Sequence, residues 1–161
     1  MTPATLKTMR EAIGLTAADL AALAGVQERT LRYWESGRIS VPQDVADLVT
    51  RIDAMLTSIA VEAVATAREQ IAANGGRPES ISLLRYRENA DLWHYRPDFK
   101  PLPTTTHAAL LARTRAALAD LPVKTVIVYM DAQAYAQWLG GRADSEALRL
   151  EWADAQANKP S

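Results

Sequence analysis

Within "RTLRYWESGR" (residues 29–38), three arginines, a tyrosine and a tryptophan fall in ten residues. A guanidinium presents a rigid fork of donors that matches guanine N7 and O6, or a phosphate. Arg29 and Arg32 therefore suit guanine, Gln27 just before them suits adenine, and Glu28 can accept from cytosine N4. Thr30 and Tyr33 offer a thymine-methyl contact or a phosphate bond. Arg38 and Ser40, beyond a Ser-Gly stop, are placed for phosphates. Any amphipathic surface helix carries solvated polar residues of this kind. Whether these read a groove depends on the elements that would hold them.

Those elements are legible upstream. Thr2 can cap a first helix with Pro3 at its first position, and Leu6, Met9 and Ile13 recur at helical spacing before Gly14 ends it. Thr16 caps a second helix, "AADLAALAG", which buries Leu20 and Leu23 and stops at Gly25. A third runs from about Gln27 to Ser36 and stops at Gly37. Helices this short must share a core, for which Leu15, Leu20, Leu23, Val26, Leu31 and Trp34 are the candidates. Two helices joined by a tight glycine-containing turn, the second basic, make a helix-turn-helix. Its second helix presents N-terminal side chains to base edges, and the N–H groups near Thr16 and Ala17 are placed for phosphates.

Residues 5–40 resemble the lambda-repressor-like (Cro/xenobiotic-response-element) helix-turn-helix family, through "GLTAADLAALAGV" followed by "TLRYWESGR". The resemblance implies a pairing of Arg10 with Glu35 that ties helix one to helix three. With its long helix and small strand–helix–strand region, the chain is also similar to the anti-CRISPR-associated autoregulators. It departs from them in extending past the second strand, over 131–156, and in having Ala17 where many relatives carry a phosphate-contacting glutamine.

Residues 41–76 keep Val45, Leu48, Val49, Ile52, Leu56, Ile59, Ala63 and Ala67 on one face. They read as one helix of about thirty residues, or two with a break near 58–61. Asn74-Gly75-Gly76 and Pro78 mark a boundary. Beyond it, "SISLLRYR" (80–87) and "KTVIVYM" (124–130) read as strands. "ENADLWHYRPDFKPLP" reads as a loop with at most one helical turn. "THAALLARTRAALADL" reads as a helix buried through Leu110, Thr114, Ala117, Leu118 and Leu121. Asp131 can cap "AQAYAQWL", and "ADSEALRLEWADAQ" forms a last helix. The expected fold is mainly α with a small α+β part. Residues 1–73 form a DNA-binding domain with its long helix, 79–156 an α+β dimerisation or interaction domain, and 157–161 a tail.

Composition narrows the function classes. A net charge of −1 provides no global basic field, so any nucleic-acid surface must be a local patch. The chain has no cysteine, which excludes disulfides and thiolate–zinc sites. The most apolar run, residues 54–66, is broken by Glu62 and falls short of the ~20 residues that span a bilayer. The N-terminus has no apolar signal region. These features point to a cytoplasmic, nucleoid-associated protein with no membrane partner.

His94 and His107 have no partner at metal-ligand spacing, and His107 at a helix start is read as exposed. No Ser-His-Asp set, HExxH, P-loop or GxGxxG is present, so no metal, cofactor or enzymatic activity is expected. Trp93, Tyr95, Arg96 and Lys100, with Arg85 and Arg87, interleave aromatic and basic groups that could clamp single-stranded RNA. Such a loop more often packs its rings and snorkels its arginines.

The expectation is a homodimeric repressor or autoregulator acting on double-stranded DNA. Two helix-turn-helix units on an inverted repeat multiply specificity, and two strands alone make a marginal sheet with open edges. The alternatives are an antitoxin whose C-terminal domain binds a toxin, and an RNA- or protein-binding regulator.

Overall fold

The computed structural model describes residues 1–73, 75 and 80–159. Three short helices open the chain: α1 (Pro3–Ala12), α2 (Ala17–Leu23) and α3 (Glu28–Glu35). Each begins and ends where its local chemistry requires. The Thr2 hydroxyl accepts the Thr5 N–H with Pro3 at N1, and Thr16 and Asp19 form a reciprocal capping box at α2. Gln27 and Ser36 are the caps of α3 rather than its first and last turns. Leu6, Ile13, Leu15, Leu20, Leu31 and Trp34 are buried as one core, while Leu23 and Val26 pack at its margin.

One unbroken helix, α4 (Gln43–Ala73), follows. Its apolar face buries Val45, Val49, Ile52 and Leu56 near the first three helices and Ala60 and Ala67 further along. The boundary expected at Asn74-Gly75-Gly76 and Pro78 lies, Gly75 apart, outside the described residues. So do the last two residues of the expected tail.

The remainder is a strand–helix–strand unit closed by two helices. Strand β1 (Ser80–Arg85) pairs in parallel with β2 (Lys124–Tyr129), in register from Ser80↔Lys124 to Arg85↔Tyr129. Each strand keeps one edge unpaired in this two-stranded sheet. Between them run α5 (Asn89–Tyr95), a 3-10 turn at Pro97–Phe99, α6 (Thr104–Ala117) and a 3-10 turn at Leu118–Asp120. Helix α7 (Ala132–Leu139) is capped by Asp131, and α8 (Glu146–Ala157) by Ser145. Helix α8 packs on both strands, and α6 lies between β1 and α4.

The two halves meet directly. Arg113 on α6 is ion-paired with Asp53 of α4 at 2.6 Å and also donates to the Ala12 carbonyl at 3.4 Å. Gly14, in the left-handed region at φ +74°, lies against the backbone of Thr105 and Thr106.

Four sequence expectations are corrected. Residues 89–95 form a helix rather than a loop, because Leu92 is fully buried and the Trp93 indole N–H donates to the Leu102 carbonyl at 2.8 Å. Tertiary burial overrides the weak local signal of a segment that runs into prolines at 97, 101 and 103. Strand β1 stops at Arg85, two residues short of expectation. Ala117 is exposed, because α6 tightens to a 3-10 turn at Leu118, which takes the buried place.

The fourth is His107, which is 3% exposed rather than solvated. Starting at Thr104, α6 turns its first-turn histidine inward, edge-on to the rings of Tyr86 and Phe99 at 5.2 Å each. Burial, then Arg96 and Arg85 nearby, push its pKa down to about 4. The unfolded chain therefore binds the proton more readily, and stability present above about pH 6.5 is lost as pH falls toward 4. Urea melts at pH 7 and pH 4 should show a loss of up to about 3 kcal/mol from this group. His107→Phe should remove that part of the slope. An unchanged slope in the variant would show that His107 is not the titrating group.

Candidate nucleic-acid interface

The exposed face of α3 is set by what the helix buries. Leu31 and Trp34 point into the core, which leaves Arg29 and Arg32 exposed and Glu28, Thr30 and Tyr33 half-buried. Gln27 at the cap, and Arg38 and Ser40 after the Gly37 stop, are exposed as well.

Tyr33 organises the basic groups. The Arg29 Nε–H donates to its hydroxyl. The guanidinium groups of Arg29 and Arg38 lie 5.3 and 4.8 Å from its ring centroid. Two arginines separated by nine positions are thereby brought to one tyrosine, with cation–π attraction holding both near the ring. Neither has an acidic partner among the described residues. Arg32 differs: it is ion-paired with Glu28 one turn back, with its Nε 3.1 Å from Oε1. At this exposure such a pair contributes only ~0.3–0.5 kcal/mol. A base edge or phosphate can displace it.

At the start of α2 the Thr16 N–H donates to the Asp19 carboxylate at 2.9 Å, as does the Thr16 hydroxyl. The half of this terminus expected to face a phosphate is thus engaged within the capping box, and a carboxylate stands beside it. Ala17 follows at N1 and offers only its N–H.

Behind this surface a buried ion pair fixes α3. Arg10 Nε lies 2.6 Å from Glu35 Oε1 and its Nη2 lies 3.3 Å from Oε2, while Nη1 donates to the Leu15 carbonyl at 2.8 Å. One guanidinium therefore ties α1, the α1–α2 turn and the end of α3. The hydrogen bond to Glu35 raises the Arg10 pKa further above its already high value.

The aromatic–basic segment of the C-terminal half is otherwise disposed. Trp93 is tied to Leu102, and Tyr95 stacks on Tyr86 and meets Tyr135 edge-on. Arg96 is ion-paired with Asp98 at 2.8 Å, and Lys100 lies 5.8 Å from the Trp93 ring. Arg85 and Arg87 instead flank Tyr129 of β2, at 5.9 and 3.8 Å. Phe99 is buried and Trp93 and Tyr95 are half-buried, and Arg85 and Arg87 lie against a different ring from the one beside Lys100.

Sequence reasoning missed Tyr33 as the hub of two arginines. The i, i+4 spacing of Arg29 and Tyr33 was the available signal. No helix among the described residues is long and apolar enough to cross a membrane.

No curated protein matches the chain at a significant level. The family profile described as a helix-turn-helix domain matches residues 4–57. That span covers α1 to α3 and the first half of α4, about a third of the chain. Domains of this kind lay their second helix in the major groove of DNA. Residues 4–57 are a helix-turn-helix domain, consistent with the Cro/lambda-repressor-like family.

Proposed function

We propose that the protein is a dimeric, sequence-specific repressor that occupies an inverted repeat, its own promoter included. The observation that carries this reading is the exposed face of α3, where Arg29 and Arg38 converge on Tyr33 with no acidic partner among the described residues. The N-terminal part of α3 enters the major groove with Arg29, Gln27 and Thr30 toward base edges. Arg32 joins them once Glu28 releases it or turns to a cytosine. Arg38 and Ser40, with the Ala17 N–H, meet phosphates.

Residues 1–73 act as the DNA-binding unit and 79–156 as the dimerisation unit, with the unpaired strand edges and exposed Ile127 and Tyr129 of β2 available to a second copy. Half-sites then lie about one helical turn, roughly 10 bp, apart. The place of action is the cytoplasm, on the nucleoid.

The test is a gel-shift titration on the protein's own upstream region, with light scattering on the same sample. Arg29→Ala should cost ~1–3 kcal/mol at one base position and relax preference there. Arg38→Ala should weaken binding to every sequence and lower the salt slope by about 1. Equal affinity for that region and for scrambled DNA, by a particle of one chain mass, would remove both the reader and the dimer. A toxin co-purifying on residues 79–156, or hairpin-RNA binding that survives loss of Arg29 and Arg32, would shift the function to the C-terminal half.

A further inference from the structure

In a parallel pair, successive residues of one strand turn their N–H and C=O groups alternately toward the neighbour and away from it. The Met130 N–H donates to the Arg85 carbonyl at 2.8 Å, so the even-numbered residues of β2 face β1. The main-chain groups of Thr125, Ile127 and Tyr129 therefore point to the outer edge. On β1 the same alternation sends outward those of Ser82 and Leu84. Only one of these two edges is accessible. Ser82 and Leu84 are 4% and 8% exposed, which closes the edge of β1. Ile127 and Tyr129 are 41% and 46% exposed, and no strand among the described residues lies beside them.

Open edges are ordinarily guarded by charge, proline or a bulge, because they template pairing with other chains. From Thr125 to Tyr129 there is no charge and no proline, and the register with β1 is unbroken. The same five residues are complementary to themselves. Two copies related by a two-fold axis normal to the sheet join antiparallel and keep each face on its own side. Centred on Ile127, that arrangement sets Ile127 against its own copy and Thr125 against Tyr129, each pair exchanging both N–H···O bonds. Leu83 shares a face with Ile127, so a row of four aliphatic side chains crosses the axis. Arg85, beside Tyr129, and its copy fall at opposite corners of the sheet. Lys124, the one charge of β2, falls opposite Met130 of the copy, one position from Asp131. Apolar groups meet apolar groups, and no like charges of β2 are opposed.

We propose that two copies of the chain join edge to edge through β2, antiparallel and centred on Ile127. The product is a four-stranded sheet in the order β1-β2-β2-β1, which replaces a marginal two-stranded one. This pairing rests on the dimeric reading above and assigns its surface.

The chain has no cysteine, so single cysteines report the pairing without background. Hydrogen-bonded antiparallel partners lie ~5.5 Å apart at Cα, within disulfide reach. Under mild oxidation Ile127→Cys should crosslink to its copy nearly completely. Thr125→Cys should crosslink little alone, since its copy stands ~13 Å away along the strands, but it should form a mixed disulfide with Tyr129→Cys. Ile127→Lys sets two ammonium groups face to face at a position exposed in the single chain. It should raise the dimer dissociation constant by at least ~100-fold in light scattering while circular dichroism stays unchanged. Should that variant not fold, the cysteine series still decides. A particle of one chain mass for the unmodified protein would overturn this pairing and the dimeric reading together. A two-chain particle that Ile127→Lys leaves intact, or that crosslinks through Thr125→Cys rather than Ile127→Cys, would overturn the pairing alone and move the dimer to another surface.

Discussion

Gly14→Ala is expected to destabilise the protein by ~2–5 kcal/mol, the larger part from collision rather than conformation. The position sits at φ +74°, where an L side chain costs roughly 1–2 kcal/mol. A Cβ built there would overlap the Thr105 carbonyl oxygen and stand 2.7 Å from its carbon. Its obstacle is main chain at the first turn of α6, so no rotamer change relieves it, and overpacking typically adds 1–3 kcal/mol. The melting temperature should fall by roughly 10 °C for a chain of this size. Gly25, also at positive φ but with nothing within 4 Å of an added methyl, serves as the control. Gly25→Ala should cost only the conformational part. Similar losses at both positions would mean that α6 yields readily at Gly14 and that the two halves are loosely joined there.

Arg10→Met should cost ~3–5 kcal/mol, since it leaves a carboxylate buried without its partner. The methionine retains much of the arginine stem's volume, so the loss isolates the charge and its bonds. Glu35 would keep an 11% exposed side chain with nothing to neutralise it, and the Leu15 carbonyl would lose its donor. Arg10→Lys should recover little, because an ammonium cannot make the forked contact to Glu35 and reach Leu15 together. The double variant Arg10→Met/Glu35→Leu should regain most of the stability, as apolar replacements of buried pairs commonly do. Urea denaturation of the four proteins gives the coupling energy directly. A loss under 1 kcal/mol for Arg10→Met would show that water already solvates the pair. On the proposed function, the same variant should also lower DNA affinity, because the brace holds the helix whose far face carries Arg29.

The contrast between these two contacts explains what the sequence could and could not disclose. The three short helices are written locally: Thr2-Pro3, Thr16 with Asp19, and glycines at the stops each act within a few residues. The Arg10–Glu35 pair came from resemblance, and the structure forms it. The apposition of Gly14 to Thr105, and of Arg113 to Asp53, joins residues tens of positions apart, where no periodicity points. His107 failed for the same reason, since its inward turn depends on Tyr86 and Phe99 arriving from other elements. Residues 89–95 carried the weakest local signal and became a helix through the burial of Leu92. At the candidate interface, residue types and exposure were legible, but the partners of those residues were not. Glu28 with Arg32 and Thr16 with Asp19 are ordinary i, i+4 and i, i+3 arrangements, and both engage groups assigned to nucleic acid.

The parallel pairing of β1 with β2 has a consequence for how the chain is made. Each residue of β1 finds its partner 44 positions later, from Ser80↔Lys124 to Arg85↔Tyr129. The first three helices and the start of α4 close their core from neighbours in sequence, so they can consolidate as they leave the ribosome. Strand β1 then waits for the crossover to be synthesised, which at ~5–20 residues per second takes roughly 2–9 s. During that interval "SISLL" is an unpaired, apolar edge, the kind of segment that draws neighbouring chains into aggregation. Slow translation between β1 and β2 therefore lengthens the vulnerable period, whereas a pause after β2 has emerged gives the sheet time to close.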